Sequence, residues 1–156
     1  MLFLVDAMLG NIAKKLRILG FDSEYFSDID DSELIQKAKN EQRVIISRDH
    51  ELISRAKNNG IQSIYISTEN EIKQFLEILQ NVPLEFDKIT GDTARCTKCN
   101  SRTSPVKKSE IENKVPQGIL DYNDKFWKCE NCGQIYWEGT HIKNLQKFLD
   151  KIQSQS

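Results

Sequence analysis

Along the first eighty residues, short unbroken apolar runs alternate with stripes of helical spacing. Leu2-Phe3-Leu4-Val5 is such a run, stopped by Asp6, and reads as a buried strand with an acid at its carboxyl end. Ile12, Leu16 and Leu19 recur at helical spacing and Gly20 sits where a helix C-cap belongs, so a helix is expected over 11–19. Residues 23–26 form a weaker second strand. Asp30 and Asp31 offer caps to a helix through Leu34, Ile35 and Ala38, closed at Asn40. Residues 43–47, β-branched and continuous, are the clearest strand. Asp49 then opens a helix through Leu52, Ile53 and Ala56 that ends at Asn59-Gly60. A fourth strand is expected over 61–67 and a fourth helix over 69–79. Strands alternating with helices at this spacing argue an α/β fold, a parallel sheet with helices on both faces. Ligands of such sheets sit beyond the carboxyl ends of the strands, at a topological switch point, which puts Asp6 and Asp49 on one edge.

Residues 81–93, with Pro83 and Gly91, read as a linker between an α/β domain over 1–90 and a smaller module over 93–156 that ends in a helix. Charge supports the division. Residues 1–92 carry 11 Lys and Arg against 16 Asp and Glu, and residues 93–156 carry 11 against 7. The first half suits cations and the second can approach an anion. The first half is expected to fold by itself, so that a chain ending near residue 92 keeps the sheet. Mean hydropathy is -0.54, and the run 1–5 is far short of the ~20 apolar residues a bilayer needs. With no basic segment ahead of that run, a cytosolic protein without a membrane partner is expected.

All 4 cysteines lie in the basic half. Cys96-Thr-Lys-Cys99-Asn100 and Cys129-Glu-Asn-Cys132-Gly133 are matching hooks, each followed by a residue that tolerates positive φ and so turns the chain back. Two such hooks supply the four soft ligands of a tetrahedral structural Zn²⁺ site, a zinc ribbon, with no position left open for water. The spacer over 100–128 exceeds the usual length and is expected to run out and back as strands. Disulfides are disfavoured in a reducing compartment.

Asp6 and Asp49 each follow a strand directly. Carboxylates brought together repel unless a cation joins them, and hard oxygen ligands suit Mg²⁺ or Mn²⁺. Such an ion can activate a water and steady a phosphate during in-line displacement. Both positions equally suit a helix N-cap, and Asp31, with Asp30 as its alternative, is a third candidate. Lys14, Lys15 and Arg17 on the first helix, and Arg48 beside Asp49, can grip phosphates or simply face water. His50 and His141 have no Ser or Cys partner that would make a nucleophilic triad. Phe126, Trp127, Tyr136 and Trp137 surround the second hook; some build the module's core, and one, such as Trp127, is left to stack on bases. Lys98, Arg102, Lys107, Lys108 and Lys128 supply its positive charge.

These residues together resemble a known family. Phe3-Leu4-Val5-Asp6-Ala7-Met8-Leu9-Gly10, Ile12-Ala13-Lys14-Lys15-Leu16-Arg17-Ile18-Leu19-Gly20 and Arg43-Val44-Ile45-Ile46-Ser47-Arg48-Asp49 are similar to the PIN-like mutator-seven C-terminal RNase domain. So are the two hooks, Val115-Pro116, and Ile135-Tyr136-Trp137-Glu138-Gly139-Thr140-His141, in the family's order from Leu2 to about Leu149. The resemblance implies a PIN-like, Rossmann-like nuclease domain fused to a zinc ribbon, with metal-dependent ribonuclease activity on RNA. By position it makes Asp6, Asp31 and Asp49 catalytic acids, Asp6 and Asp49 as ligands of Mg²⁺ or Mn²⁺. Lys14, Arg17 and Arg48 stay the candidates for phosphate binding that their charge and position suggest, and Cys96, Cys99, Cys129 and Cys132 the zinc ligands that their spacing gives. Ser47 stands for the family's usual Thr and keeps its hydroxyl, whereas Lys15 replaces a common aromatic. A fourth acid has no clear equivalent beyond Glu69. Two rival readings are a non-catalytic nucleic-acid-binding module and a phospho-acceptor receiver domain. The receiver lacks its paired acids after the first strand and its lysine after the last.

Overall fold

The computed structural model describes residues 1–85 and 88–155, without the side chains of His141 and Gln155. Four β–α units run in succession: β1 (Leu2–Val5), α1 (Gly10–Ile18), β2 (Asp22–Tyr25), α2 (Asp31–Glu41), β3 (Val44–Ser47), α3 (His50–Asn58), β4 (Ser63–Tyr65) and α4 (Glu71–Asn81). The strands form one parallel sheet in the order β2-β1-β3-β4. Alternation along β1 and β3 sorts the core into two layers, since successive side chains point to opposite faces. Phe3, Val5, Val44 and Ile46 join Ile12, Leu16, Phe75 and Ile78 from α1 and α4. Leu4 and Ile45 join Leu34, Ala38, Leu52 and Ala56 from α2 and α3. Helices therefore cover both faces, as the sequence pattern requires.

Local boundaries differ where side-chain chemistry intervenes. Helix α2 runs past Asn40 and stops at Gln42, whose φ of 57° closes the helix with a left-handed turn. Helix α4 begins later than expected because Asn70, not Glu69, caps it, its side chain accepting from the Lys73 N–H at 3.0 Å. Gly20 does end the first helical unit, at φ 96°, and has no room for a Cβ: one would stand 2.8 Å from the Thr93 carbonyl oxygen.

The second module is a three-stranded antiparallel sheet, β5 (Thr103–Val106), β6 (Phe126–Cys129) and β7 (Ile135–Tyr136), in the order β5-β6-β7. Its spacer is more than a strand pair. After a short 3₁₀ turn it carries α5 (Gln117–Tyr122), and Ile111 and Leu120 from this excursion close a small core with Phe126 and Ile135. The final helix, α6 (Thr140–Gln155), leaves this module altogether. Its Leu145, Leu149 and Ile152 are buried in the α1/α4 layer of the large sheet, and Phe148 meets Phe75 edge-on at 5.9 Å. Sequence order assigns α6 to the module, but packing assigns it to the sheet.

Polar contacts tie the two sheets together. Arg17 is only 7% exposed; its Nε donates to the Ser23 carbonyl at 2.8 Å and its Nη1 to the Thr97 carbonyl at 2.7 Å. Asn100, with φ 70° behind the first cysteine hook, reaches edge strand β2. There its Oδ1 accepts from the Ser23 N–H at 2.9 Å and its Nδ2 donates to Asp22 at 2.7 Å. Burial works against the Asp22 carboxylate, but hydrogen bonds from Arg43 and Asn100 hold its pKa below the usual value. A depressed carboxyl pKa stabilises the fold above the ordinary Asp range and ceases to as pH falls through the folded value. Asn100→Ala is expected to cost about 2–4 kcal/mol, combining an orphaned buried N–H with a strained positive φ. Asn100→Gly should recover only the backbone part. Thermal melts of the zinc-loaded variants check this; equal melting temperatures for wild type and Asn100→Ala would refute it.

Candidate functional site

The strand order reverses between β1 and β3, so the crevice beyond their carboxyl ends is the switch point of the sheet. Val5 pairs with Ile46 across it, and the Asp6 N–H donates to the Ile46 carbonyl at 3.0 Å, which brings Asp6 beside Ser47. The Ser47 hydroxyl, fully buried, donates to Asp6 Oδ2 at 2.7 Å and accepts from the Asp49 N–H at 2.9 Å. One side chain thus sets the spacing of both acids. Asp49 is an N-cap as well: its Oδ1 accepts from the Glu51 and Leu52 N–H groups. The Asp6 side chain caps no helix, because the N-cap residue of α1 is Leu9 and that helix has no side-chain cap.

Asp31 opens α2 and faces the same edge. Burial, then the charges of Asp49 and Asp6, raise its pKa, with Arg55 3.9 Å away as a partial offset. Its neighbour Asp30 occupies the cap position without a cap bond. Mutual repulsion among three carboxylates is what a divalent cation would relieve. Among the described residues, however, the acids do not close into a ligand cage; the group that does is the four cysteines. An open arrangement of one or two carboxylates fits Mg²⁺, which keeps several of its waters.

The basic candidates divide. Lys14 is exposed and has no hydrogen-bond or salt-bridge partner among the described residues, so it is available to an anion. Arg48 lies beside Asp49 with Glu69 at 3.8 Å. Arg17 does not belong with them: it is buried, and backbone carbonyls take two of its nitrogens, so it joins the two sheets and does not grip phosphate. Lys15 is likewise occupied, by Glu71 at 3.2 Å and by the ring of Phe148. The exposed Glu69 does not reach α1. Glu71 does, accepting from Asn11 at 3.0 Å as well as from Lys15, an acid the sequence reading passed over. His50 stacks edge-on against Tyr65 at 5.4 Å, while the side chain of His141 lies outside the described residues.

The four cysteines converge as their spacing requires. Their sulfur atoms all lie within 4.8 Å of one another. The closest pairs, Cys99–Cys129 at 3.4 Å and Cys96–Cys132 at 3.6 Å, are too long for a disulfide bond of ~2.05 Å. They are close to the ~3.8 Å edge of a tetrahedron built on Zn–S bonds of ~2.3 Å. Asn100 and Gly133, at φ 70° and 78°, supply the two turns after the hooks. N–H groups of Asn131 and Cys132 point at Cys129 Sγ at 3.4 Å, and the Tyr136 hydroxyl lies 2.9 Å from Cys96 Sγ, an outer shell suited to thiolates. The donor set fits Zn²⁺. One zinc per chain is expected by elemental analysis, lost in Cys99→Ser or Cys132→Ser; a folded module free of metal would contradict it.

The aromatics also divide. Phe126 and Trp127 are 2% and 3% exposed, and the Trp127 indole N–H is committed to Asp92 at 3.0 Å, so Trp127 is core and not a free stacking surface. Trp137 and Tyr136 are half-buried. Among the described residues no helix is long and apolar enough to cross a membrane.

Comparison with known proteins finds one family. A family model described as the Mut7-C RNAse domain matches residues 1–149, which takes in the acid edge, the cysteine module and most of α6. No curated protein and no solved structure matches the chain.

Proposed function

The chain belongs to the Mut7-C RNAse domain family, and on that premise we propose that it is a metal-dependent ribonuclease of PIN-like type, with a zinc ribbon that aids RNA binding. The observation that carries the reading is Ser47. Its buried hydroxyl holds Asp6 and the Asp49 backbone together at the switch point, an investment that two unrelated helix caps would not need. Asp6 and Asp49 would hold Mg²⁺ or Mn²⁺, assisted by Asp31. When bound, such an ion supplies Lewis-acid stabilisation of the phosphate and an activated water. Arg48 offsets phosphate charge beside Asp49, and Lys14 does so farther along the strand, from α1. Without them an acidic edge would repel the substrate.

The test is direct. Purified protein is incubated with end-labelled single-stranded and hairpin RNA, with and without added Mg²⁺ or Mn²⁺. Cleavage that requires the added ion is expected. RNA that is bound but never cut would leave a non-catalytic nucleic-acid-binding protein.

The module's part in binding is separately measurable. Four thiolates on Zn²⁺ carry a charge of about -2, so the module is only mildly basic, and a few phosphate contacts are expected. Lys107 is exposed and Lys108 is 3.5 Å from Asp124 on the same excursion. Reversing both charges should shallow the slope of log affinity against log salt by about 1.4, at ~0.7 per contact for single strands. Affinity for Mn²⁺ should not change. An unaltered slope would remove these two lysines from the RNA surface.

A further inference from the structure

We propose that the cleft between α1 and the cysteine module is a stacking subsite for one unstacked nucleobase of the RNA strand. The inference rests on the ribonuclease reading and adds a site to it. The cleft has a volume of about 600 Å³, within the usual range for a ligand pocket. Asn11, Lys14 and Ile18 form one wall. Spaced i, i+3, i+7, they are a single stripe of α1 that starts on the first turn of the helix. Only residues 7–9 separate that turn from Asp6. The rest of the lining comes from the module, Tyr136 and Trp137 included, and from Thr140 and Ile142 at the start of α6.

Three features point to a flat ligand with an anionic tail. First, Trp137 is half-buried and braced by Phe126, with ring centroids 6.4 Å apart, yet its indole N–H has no acceptor among the described residues. Second, Gly139 keeps the edge of that indole clear: a Cβ there would stand 2.9 Å from its nitrogen. Third, Lys14, which lines the same cleft, is the unpaired cation described above. An aromatic ring and a free ammonium lining one cleft are the groups that hold a base and its phosphate, and such a site tolerates any sequence because every base has a π-face. The α1 stripe runs from the acid edge into this cleft, so a strand lying along it would set its register at the acids by seating a base on Trp137.

The chain has 2 tryptophans and both border the cleft, so its own fluorescence reports occupancy. The experiment uses zinc-loaded full-length protein without added Mg²⁺ or Mn²⁺. A single-stranded oligoribonucleotide of about eight residues is compared with an abasic strand of equal length and charge. The RNA is expected to quench tryptophan emission saturably and the abasic strand not to. By fluorescence anisotropy, Trp137→Leu should weaken RNA binding about tenfold while Trp137→Phe stays near wild type. Lys14→Glu should weaken both strands. Equal quenching by the two strands, or unchanged affinity in a folded, zinc-loaded Trp137→Leu, overturns the subsite. Should that variant fail to fold, the abasic comparison on wild type decides alone. Cleavage by wild type with Mn²⁺ is measured in parallel. Normal cleavage without base-dependent quenching overturns only the subsite. Loss of both binding and cleavage overturns the ribonuclease reading and the subsite with it.

Discussion

Asp6→Asn and Asp49→Asn will each leave a folded protein whose metal-dependent RNA cleavage is slower by at least about a hundredfold. The magnitude follows from the several kcal/mol that a divalent ion contributes to phosphoryl chemistry, at 1.36 kcal/mol for each factor of ten. The fold should survive for reasons specific to each position. Asparagine is as good an N-cap as aspartate, so the bonds from Glu51 and Leu52 to residue 49 persist. At residue 6 an amide oxygen still accepts from the Ser47 hydroxyl. What each substitution removes is the charge. Thermal shift with Mn²⁺ separates this from a structural effect: wild type should be stabilised by the ion, and each variant much less. Ser47→Ala offers a graded control, since it leaves both carboxylates and frees their spacing. Activity should fall by less than in the aspartate variants, with Mn²⁺ needed at higher concentration. Either Asn variant cutting RNA at the wild-type rate would exclude that carboxylate from the chemistry.

The acid edge and the cysteine module were legible because each rests on local pattern plus a strong topological rule. A strand that ends in Asp, in a fold that must be parallel, can put that Asp only at the carboxyl edge. Two hooks with a turn residue after each bring four thiols to one point, a donor set that suits Zn²⁺. Long-range docking left no such mark. Arg17 sits on a helix among other cations and reads as solvated; its real partner is a carbonyl eighty residues away, at Thr97. Trp127 and Trp137 look alike in the sequence, and only the fold buries the first to 3% exposure with its indole N–H on Asp92 while the second stays half-buried with its N–H free among the described residues. Ser47 was visible as a hydroxyl in a motif, but its two-sided bond to Asp6 and Asp49 needs the pairing of β1 with β3. Glu71 was masked by Glu69, two positions earlier, because the start of α4 depends on Asn70 as its cap.

Deleting α6 will cost this protein its cooperative fold, although the deletion touches neither the acids nor the cysteines. Leu145, Leu149 and Ile152 are 5%, 2% and 1% exposed, all against the layer of Phe3, Leu16, Phe75 and Ile78. At about 1.5–3 kcal/mol for each fully buried aliphatic side chain, the three contribute roughly 5–9 kcal/mol. That matches the whole net stability of an ordinary domain, about 5–15 kcal/mol. A chain ending at Gly139 should therefore show no cooperative melting transition, and one ending near residue 92, which also loses the contacts of Asn100 and Thr97 with β2 and α1, should fare worse. The packing of α6 on the sheet therefore argues against the expectation that the first 92 residues fold by themselves, and this truncation tests it. Leu149→Ala in the full chain gives the graded version, a loss of about 2–5 kcal/mol. Lys147→Ala, on the exposed face, should change stability by less than about 0.5 kcal/mol. Loss of RNA binding on truncation thus reports unfolding, and the module's role has to be read from point charges in the intact chain. A 1–139 protein that melts cooperatively within a few degrees of full length would show that α6 is an accessory to the sheet rather than part of its core.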